Sequence, residues 1–314
     1  MAAALALAER GIGRTGQNPS VGCVIVKDNV VVGRGWTQQG GRPHAEAMAL
    51  AEAGVQAAGS TIYVTLEPCA HQSPRGPACA ELLRDARPAR VVVALQDPDP
   101  RTAGAGIKAL TAAGIFVETG VMAAQAANSL RGFLSRMTRS RPFVTLKLAT
   151  SLDGKIAMPD GSSRWITGDV ARAHSHVERA RSDAILVGSG TLRVDAPQLT
   201  VRLPGLQGHQ PRKICLGSAD APDGWEVIRA PEDISALSCN HLLVEGGAST
   251  AAAFMQAGLV DRLLLYRAPI LLGAGLPCVA DLGLSKLGDA HGRWRITDAR
   301  SLGKDRLEVY ESAN

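Results

Sequence analysis

His44-Ala45-Glu46, followed by Pro68-Cys69 and then Cys79, constrains this chain more than any other feature. One imidazole and two thiols form the donor set of a catalytic zinc site. Three soft N and S ligands hold Zn²⁺ tetrahedrally and leave a fourth position for water, whose pKa then falls to about 7. A carboxylate that is not a ligand must carry protons to the departing group, and Glu46 is the candidate. The local sequence suits these roles. Val-Thr-Leu-Glu-Pro-Cys, residues 64–69, reads as a strand running into a tight loop. His44 opens an Ala-rich helix that runs to about Ala53. Cys79 follows Pro77 near the start of another helical stretch, where a helix N-terminus favours the thiolate. Taken singly, two Cys are more often buried small hydrophobes than ligands. The combination argues against three unrelated structural residues.

Length and composition set the frame. The 314 residues suit two domains better than one. Aromatic residues make up 4% of the chain, so its cores rest on Ala, Val, Leu and Ile. No run approaches the roughly 20 apolar residues that span a bilayer. Met1 to Ala8 are apolar but lack a basic leader, so they read as a helix of the fold and not as a signal peptide. Six Cys in a chain this long do not suggest a disulfide framework; a reducing cytoplasm fits. The net charge is +5 and is localised. Residues 1–141 hold 15 Lys and Arg against 10 Asp and Glu, whereas residues 142–314 hold 19 of each. Arg131, Arg136, Arg139 and Arg141 account for most of the excess, which points to a solvated connector and not to a nucleic-acid face.

The first half alternates strands and helices: a hairpin over Val21–Lys27 and Val30–Gly35 turned at Asp28-Asn29, helix 44–53, strand 61–66, helix 79–86, strand 91–95, helix 105–113 and strand 115–119. This predicts an α/β domain with a mixed sheet. The second half restarts with strand 143–149. Helix 169–182, strands 184–188, 213–216 and 241–244, helix 248–257 and strand 260–267 follow, with strand-like runs at 293–297 and 306–311. This is a second α/β domain, and the Pro- and Gly-rich stretch 203–211 reads as a surface loop. The expected domains are residues 1–141 and 142–314.

An ordered His, Glu, Cys and Cys set is the signature of zinc-dependent deaminases of nucleobase-type rings. The first half more specifically resembles the deaminase domain of the bifunctional riboflavin-biosynthesis enzymes. The residues that carry this are Asn18-Pro19-Ser20-Val21-Gly22-Cys23-Val24-Ile25-Val26, Pro43-His44-Ala45-Glu46, Thr65-Leu66-Glu67-Pro68-Cys69-Ala70-His71 and Gln96-Asp97-Pro98-Asp99-Pro100. Counted back from Cys79, Arg75 keeps the basic position of that family, with one residue inserted between His71 and Arg75. The frequent Pro before Asn18 is replaced by Gln17.

The second half resembles the dihydrofolate-reductase-like domain of the same enzymes. Leu146-Lys147-Leu148-Ala149-Thr150-Ser151-Leu152-Asp153-Gly154-Lys155, Ser163-Arg164-Trp165-Ile166-Thr167-Gly168, Asp183 to Gly188, Thr191 with Asp195-Ala196-Pro197, Leu199-Thr200-Val201-Arg202 and Val244-Glu245-Gly246-Gly247 carry it. A strand ending in Gly-Gly and feeding a helix brings backbone N–H groups and a helix N-terminus to a phosphate. The full Rossmann fingerprint is absent. The implied architecture is an N-terminal cytidine-deaminase-like three-layer α/β/α domain and a C-terminal dihydrofolate-reductase-like α/β domain.

The resemblance implies two consecutive reactions on a phosphorylated pyrimidine: deamination of a diaminopyrimidinone carrying a ribosyl phosphate, then NADPH-dependent reduction of the ribosyl to a ribityl group. It gives His44, Cys69 and Cys79 to one Zn²⁺, Glu46 to proton transfer, and Asn18, His71 and Arg75 to substrate. In the second half it gives Ala149, Trp165, Thr191, Asp195, Ser218, Gly247, Ala248, Ser249 and Thr250 to the cofactor. Ser163, Arg179, Leu199, Arg202 and Glu245 go to substrate, with Arg179 and Arg202 on its phosphate. Asp195 is also a candidate for proton management, although an Asp before Ala-Pro is often a plain turn residue. Lys147 competes for that role against a solvated strand position.

Cys23 reads as core, His174 and His176 as surface, and Asp153-Gly154 as a turn. A homo-oligomer, dimer or tetramer, is implied, with no nucleic-acid or membrane partner. Three rivals remain: a tRNA-editing deaminase with an accessory domain, a zinc-stabilised scaffold without catalysis, and a fusion in which only the reductase works. Retention of Glu46 argues against the scaffold, because a structural site fills all four metal positions with protein ligands.

Overall fold

A computed structural model describes residues 1–71, 73–217 and 221–313. The chain divides into two compact units, Met1–Ser140 and Arg141–Asn314.

The first unit opens with α1 (Ala2–Ala8), then β1 (Gly22–Lys27) and β2 (Val30–Trp36). Asp28 and Asn29 turn this hairpin with φ of 51° and 63°, the left-handed pair that a two-residue turn of matching twist requires. α2 (Ala45–Ala53), β3 (Thr61–Val64), α3 (Cys79–Ala86), β4 (Arg90–Val93), α4 (Ala105–Ala112), β5 (Phe116–Thr119), α5 (Ala123–Ser129) and α6 (Arg131–Arg139) follow. The sheet order is β2-β1-β3-β4-β5. β1 runs antiparallel to both neighbours, and β3, β4 and β5 are parallel. α2 lies directly on the hairpin. A Cβ on Gly33 would fall 2.2 Å from the Ala49 carbonyl, and one on Gly35 would fall 2.1 Å from that of Ala45. Small residues on both partners thus bring the helix backbone onto the strand and fix the position of its first turn. Cys23 is fully buried with Ile25, Ile62, Val64 and Leu83 in the core.

The basic stretch 131–141 is not a solvated connector. It forms α6, whose Phe133 packs with Leu130 in the same core. The Arg residues reflect the outer face of an amphipathic helix, which the charge pattern alone does not separate from a polar linker.

The second unit contains β6 (Phe143–Thr150), β7 (Lys155–Ala157), α7 (Asp169–Ala180), β8 (Ala184–Gly188), α8 (Ser189–Asp195), β9 (Arg212–Leu216), β10 (Glu226–Ile228), β11 (His241–Val244), α9 (Ala248–Gln256), β12 (Arg262–Arg267), β13 (Leu276–Pro277), β14 (Trp294–Leu302) and β15 (Asp305–Ser312). The main sheet has the order β10-β9-β8-β11-β6-β12-β15-β14. Its first six strands are parallel, and β15 and β14 are antiparallel. β13 pairs with β7 outside it. Arg141 anchors the start of this unit through a fork onto Asp261, Nη1 to Oδ2 at 2.7 Å and Nη2 to Oδ1 at 2.8 Å. The C-terminal ends of β8, β11 and β6 lie side by side where the connections diverge, the place at which open α/β sheets bind ligands.

Candidate active sites

In the first unit, three structural elements deliver the soft ligands. His44 caps α2, Cys69 lies in the loop after β3, and Cys79 is the first residue of α3. Their donor atoms all fall within 4.8 Å of one another. His44 Nδ1 lies 3.2 Å from Cys79 Sγ and 3.6 Å from Cys69 Sγ. Tetrahedral ligands at ordinary Zn–N and Zn–S lengths stand about 3.6 Å apart, so the donor set fits zinc in kind and in spacing. Cys79 N–H also donates to Cys69 Sγ at 3.3 Å. The Cys69 thiol is drawn down to about 4, foremost by the hydrogen bond from the Cys79 thiol and then by His44. Glu46, one helix residue beyond Ala45, is 3% exposed and contributes no ligand to the set. Burial pushes its carboxyl up to about 7.

Glu67, directly before Pro68-Cys69, holds this loop, a role that its place in the sequence does not reveal. Its buried carboxylate accepts the N–H groups of Asp97 at 3.2 Å, Gly104 at 3.0 Å and Ile107 at 3.1 Å. The ligand loop is thereby tied to the 97–104 loop and to the N-terminus of α4. His71 Nδ1 lies 3.3 Å from Thr102 Oγ1 across the same junction. Arg75 Nη2 donates to the Gly40 carbonyl at 2.9 Å. Asn18 Nδ2 donates to the Thr15 carbonyl at 3.1 Å, and its side chain lies against Gly41. Arg75 and Asn18 therefore meet the turn that precedes His44, and His71 sits beside the 97–104 loop.

In the second unit a cleft of about 720 Å³ opens at the ends of β6, β8 and β11. All of the expected substrate residues, Ser163, Arg179, Leu199, Arg202 and Glu245, line it. Of the expected cofactor residues, Ala149, Trp165, Thr191, Asp195 and Gly247 line it, whereas Ala248, Ser249 and Thr250 do not. Thr250 is buried behind the wall, its Cβ 2.4 Å from where a Cβ on Gly246 would stand. Ser218 lies outside the described residues. The Gly247 N–H is already donated to Thr191 Oγ1 at 3.2 Å, and both residues line the cleft. Trp165 is 66% exposed, and the Arg172 guanidinium stacks over its ring at 4.7 Å. Asp195 ends α8, and its backbone carbonyl accepts a hydrogen bond from Arg164 at 3.3 Å. A broad cleft, a glycine-rich strand end and the nine-residue helix α9 suit a dinucleotide.

The cleft floor carries a dense charge network. Glu245 accepts a bidentate fork from Arg179, Nε at 2.7 Å and Nη2 at 2.8 Å. Lys147 Nζ stands 3.8 Å from the same carboxylate, with its side chain 21% exposed. Lys147 is therefore not a solvated strand position; it faces the cleft because β6 is interior to the sheet. Burial alone would raise the Glu245 carboxyl, but Lys147 and Arg179 hold it down to about 2. Most of the Arg179 fork is committed here and to the Thr200 carbonyl at 3.1 Å.

His174 and His176 are likewise not plain surface residues. His174 Nδ1 lies 2.7 Å from Tyr266 Oη, and Arg300 Nη2 lies 2.9 Å from Nε2. Arginine only donates, so His174 is neutral with its proton on Nδ1. His176 lines the cleft, and its Nδ1 accepts the Arg202 N–H at 3.4 Å.

Residues 1–95 match the cytidine and deoxycytidylate deaminase zinc-binding region, and residues 142–233 and 229–307 match the RibD C-terminal domain. The riboflavin biosynthesis protein RibD of Escherichia coli K12 is 41% identical over 355 aligned residues, covering 97% of this chain and 96% of that protein. The chain belongs to the RibD family. RibD of Mycobacterium tuberculosis is 42% identical, over 94% of this chain and 91% of its own. The structure of Acinetobacter baumannii RibD, form 1, superposes with a TM-score of 0.90 at 36% identity, covering 100% of this chain and 98% of that one. The Thermotoga maritima diaminohydroxyphosphoribosylaminopyrimidine deaminase/5-amino-6-(5-phosphoribosylamino)uracil reductase gives a TM-score of 0.88 at 31% identity, over 99% and 97%. As a RibD-family chain, it joins a cytidine-deaminase-like zinc-binding region to a dihydrofolate-reductase-like reductase domain in one bifunctional enzyme of riboflavin biosynthesis. No helix among the described residues is long and apolar enough to cross a membrane.

Proposed function

We propose that the first unit deaminates 2,5-diamino-6-ribosylamino-4(3H)-pyrimidinone 5′-phosphate. The second unit then reduces the ribosyl group of the product to ribityl at the expense of NADPH. The observation that carries this reading is the convergence of His44, Cys69 and Cys79 beside a buried carboxylate, Glu46, that is left over for proton transfer. Zn²⁺ held by the three ligands would supply the Lewis acid that makes water nucleophilic at neutral pH. Glu46 takes a proton from the attacking water and returns it to the departing amine, which leaves as ammonia. Asn18, His71 and Arg75 hold the substrate from the two flanking loops, and Arg75 suits its phosphate by fork geometry.

In the second unit NADPH supplies the reducing equivalents. Ala149, Trp165, Thr191, Asp195 and Gly247 orient it in the cleft. Ser163, Leu199, Arg202 and Glu245 orient the sugar phosphate. Arg202 carries the larger share of the phosphate contact, because Arg179 already serves Glu245 and Thr200. Lys147, at 3.8 Å from Glu245, joins Asp195 as a candidate for moving the proton. All six cysteines are free, as expected of a cytoplasmic protein, and the family supports a homo-oligomer.

A two-stage assay on metal-analysed protein tests the reading. The diaminopyrimidinone ribosyl phosphate is supplied without cofactor and ammonia is followed; NADPH is then added and its oxidation followed. Ammonia first and NADPH consumption second is the expected result. NADPH consumption only with deaminated substrate would leave a reductase with a silent first unit.

A further inference from the structure

Arg42 and Arg75 reach across each other's loops. Arg42 lies two residues before the ligand His44, and its Nη1 sits 3.2 Å from where a Cβ on Gly76 would stand. Arg75 lies in the loop that leads into the ligand Cys79, and it reaches back to the Gly40 carbonyl. Each guanidinium therefore rests on the backbone of the loop that carries the other. The turn that allows the crossing holds Gly40 and Gly41 at φ of 76° and 89°, where side chains are strained. Arg14 is rooted at the same turn, because its carbonyl accepts the Gly40 N–H at 2.9 Å. Its Nε is buried without a partner.

Four other arginines of this unit are charge-paired, whereas, among the described residues, Arg10, which lies over the Trp36 ring, and Arg87 are not. Arg34, Arg84, Arg90 and Arg101 of the same unit are each paired with a carboxylate, Glu52, Asp85, Glu118 and Asp99 respectively. Among the described residues, no acidic side chain pairs with Arg14, Arg42 or Arg75. Cationic side chains on adjoining loops without counter-charge favour a dianion placed between them. The planar fork of arginine matches phosphate oxygens in particular.

We propose that Arg42 joins Arg75 in a clamp for the 5′-phosphate of the deaminase substrate, with Arg14 adding to the positive potential at the same turn. The proposal rests on the deaminase reading above and adds Arg42 and Arg14 to it.

The test compares kcat/KM for the phosphorylated pyrimidine with kcat/KM for its dephosphorylated counterpart, in the zinc-loaded full chain and in Arg42→Gln, Arg75→Gln and Arg42→Lys. A hydrogen-bonded charge contact is worth roughly tenfold or more. The preference for the phosphorylated form should therefore fall about tenfold or more in each Gln variant, and the inhibition constant for inorganic phosphate should rise. Arg42→Lys keeps the charge but loses the fork, and should fall between. An unchanged preference in Arg42→Gln, or an equal loss on both substrates, overturns the clamp. If Arg42→Gln does not fold or does not hold zinc, an unchanged preference in Arg42→Lys overturns it instead. Turnover of both pyrimidines by the unmodified protein without preference would refute the clamp alone. No ammonia from either would refute the deaminase reading itself.

Discussion

Gly106, in the first turn of α4, faces the carbonyl of Pro68 so closely that a Cβ would fall 2.0 Å from the oxygen. Pro68 directly precedes the ligand Cys69, and both sides of this contact are backbone, so neither can yield cheaply. Gly106→Ala is expected to push the ligand loop away from α4 and to lower zinc stoichiometry together with the melting temperature. Gly288→Ala, where the added carbon meets nothing within 4 Å, is the control. Full zinc occupancy in Gly106→Ala would show that the loop is not held there.

The Arg179–Glu245 fork predicts an asymmetric mutational response. Arg179→Ala leaves the Glu245 carboxylate, 8% exposed, with only the longer Lys147 contact at 3.8 Å, and breaking a buried pair from one side costs about 3 kcal/mol. Lysine cannot replace the fork, so Arg179→Lys should recover little. Urea unfolding of the full chain measures the loss; a change below about 0.5 kcal/mol would place the fork among the ion pairs that contribute little.

Glu46→Gln separates the two activities. It keeps the shape of the side chain and all three metal ligands but removes the proton carrier. Ammonia release should drop by roughly 10² or more, with zinc content and NADPH oxidation on deaminated substrate retained. Cys79→Ser should instead lose zinc. Equal loss of both activities in Glu46→Gln would assign the residue to folding.

Acid should weaken the second unit through its histidines. Burial foremost lowers the pKa of His174 and of His176 from the ordinary 6.5. Glu178, Arg300, Arg262 and Asp298 surround the first, and Arg179, Arg202, Glu245 and the Thr200 carbonyl surround the second. The unfolded chain takes up protons that the folded chain refuses, so this stability is present above about pH 6.5 and is lost as pH falls through the lowered values. Melting temperature against pH should decline below 6.5, and less steeply in His174→Gln. A slope unchanged by the substitution would exclude His174 as a source.

Much of the first unit was legible because its signals are local. Asp28-Asn29 marks a turn by backbone preference, and His44 and Cys79 stand at helix starts in sequence as in the fold. The second unit hid more. α8 was not expected: it contains Gly190 and has no buried residue, so it offers no apolar period to read. His174 sits among charges in sequence, but its partner Tyr266 arrives from β12, 92 residues later. Lys147 faces the cleft only because two strands distant in sequence flank β6. Glu67 stands within a quoted motif, yet its three amide donors come from the 97–104 loop and the first turn of α4, some 30 to 40 residues on.

The segment between the two cysteine ligands is pinned at both ends, by Glu67 before Cys69 and by α3 at Cys79, while Ser73 and Gly76 close a small turn of their own, Gly76 N–H to Ser73 carbonyl at 3.2 Å. A residue gained in that turn therefore changes what the loop presents without moving the donor atoms it connects. Such an arrangement separates the donor atoms from the segment that carries the Arg75 contact to Gly40. Loop length between the cysteines is thus set apart from metal-ligand geometry, and the 73–76 turn governs what reaches the site while the donor set keeps its place.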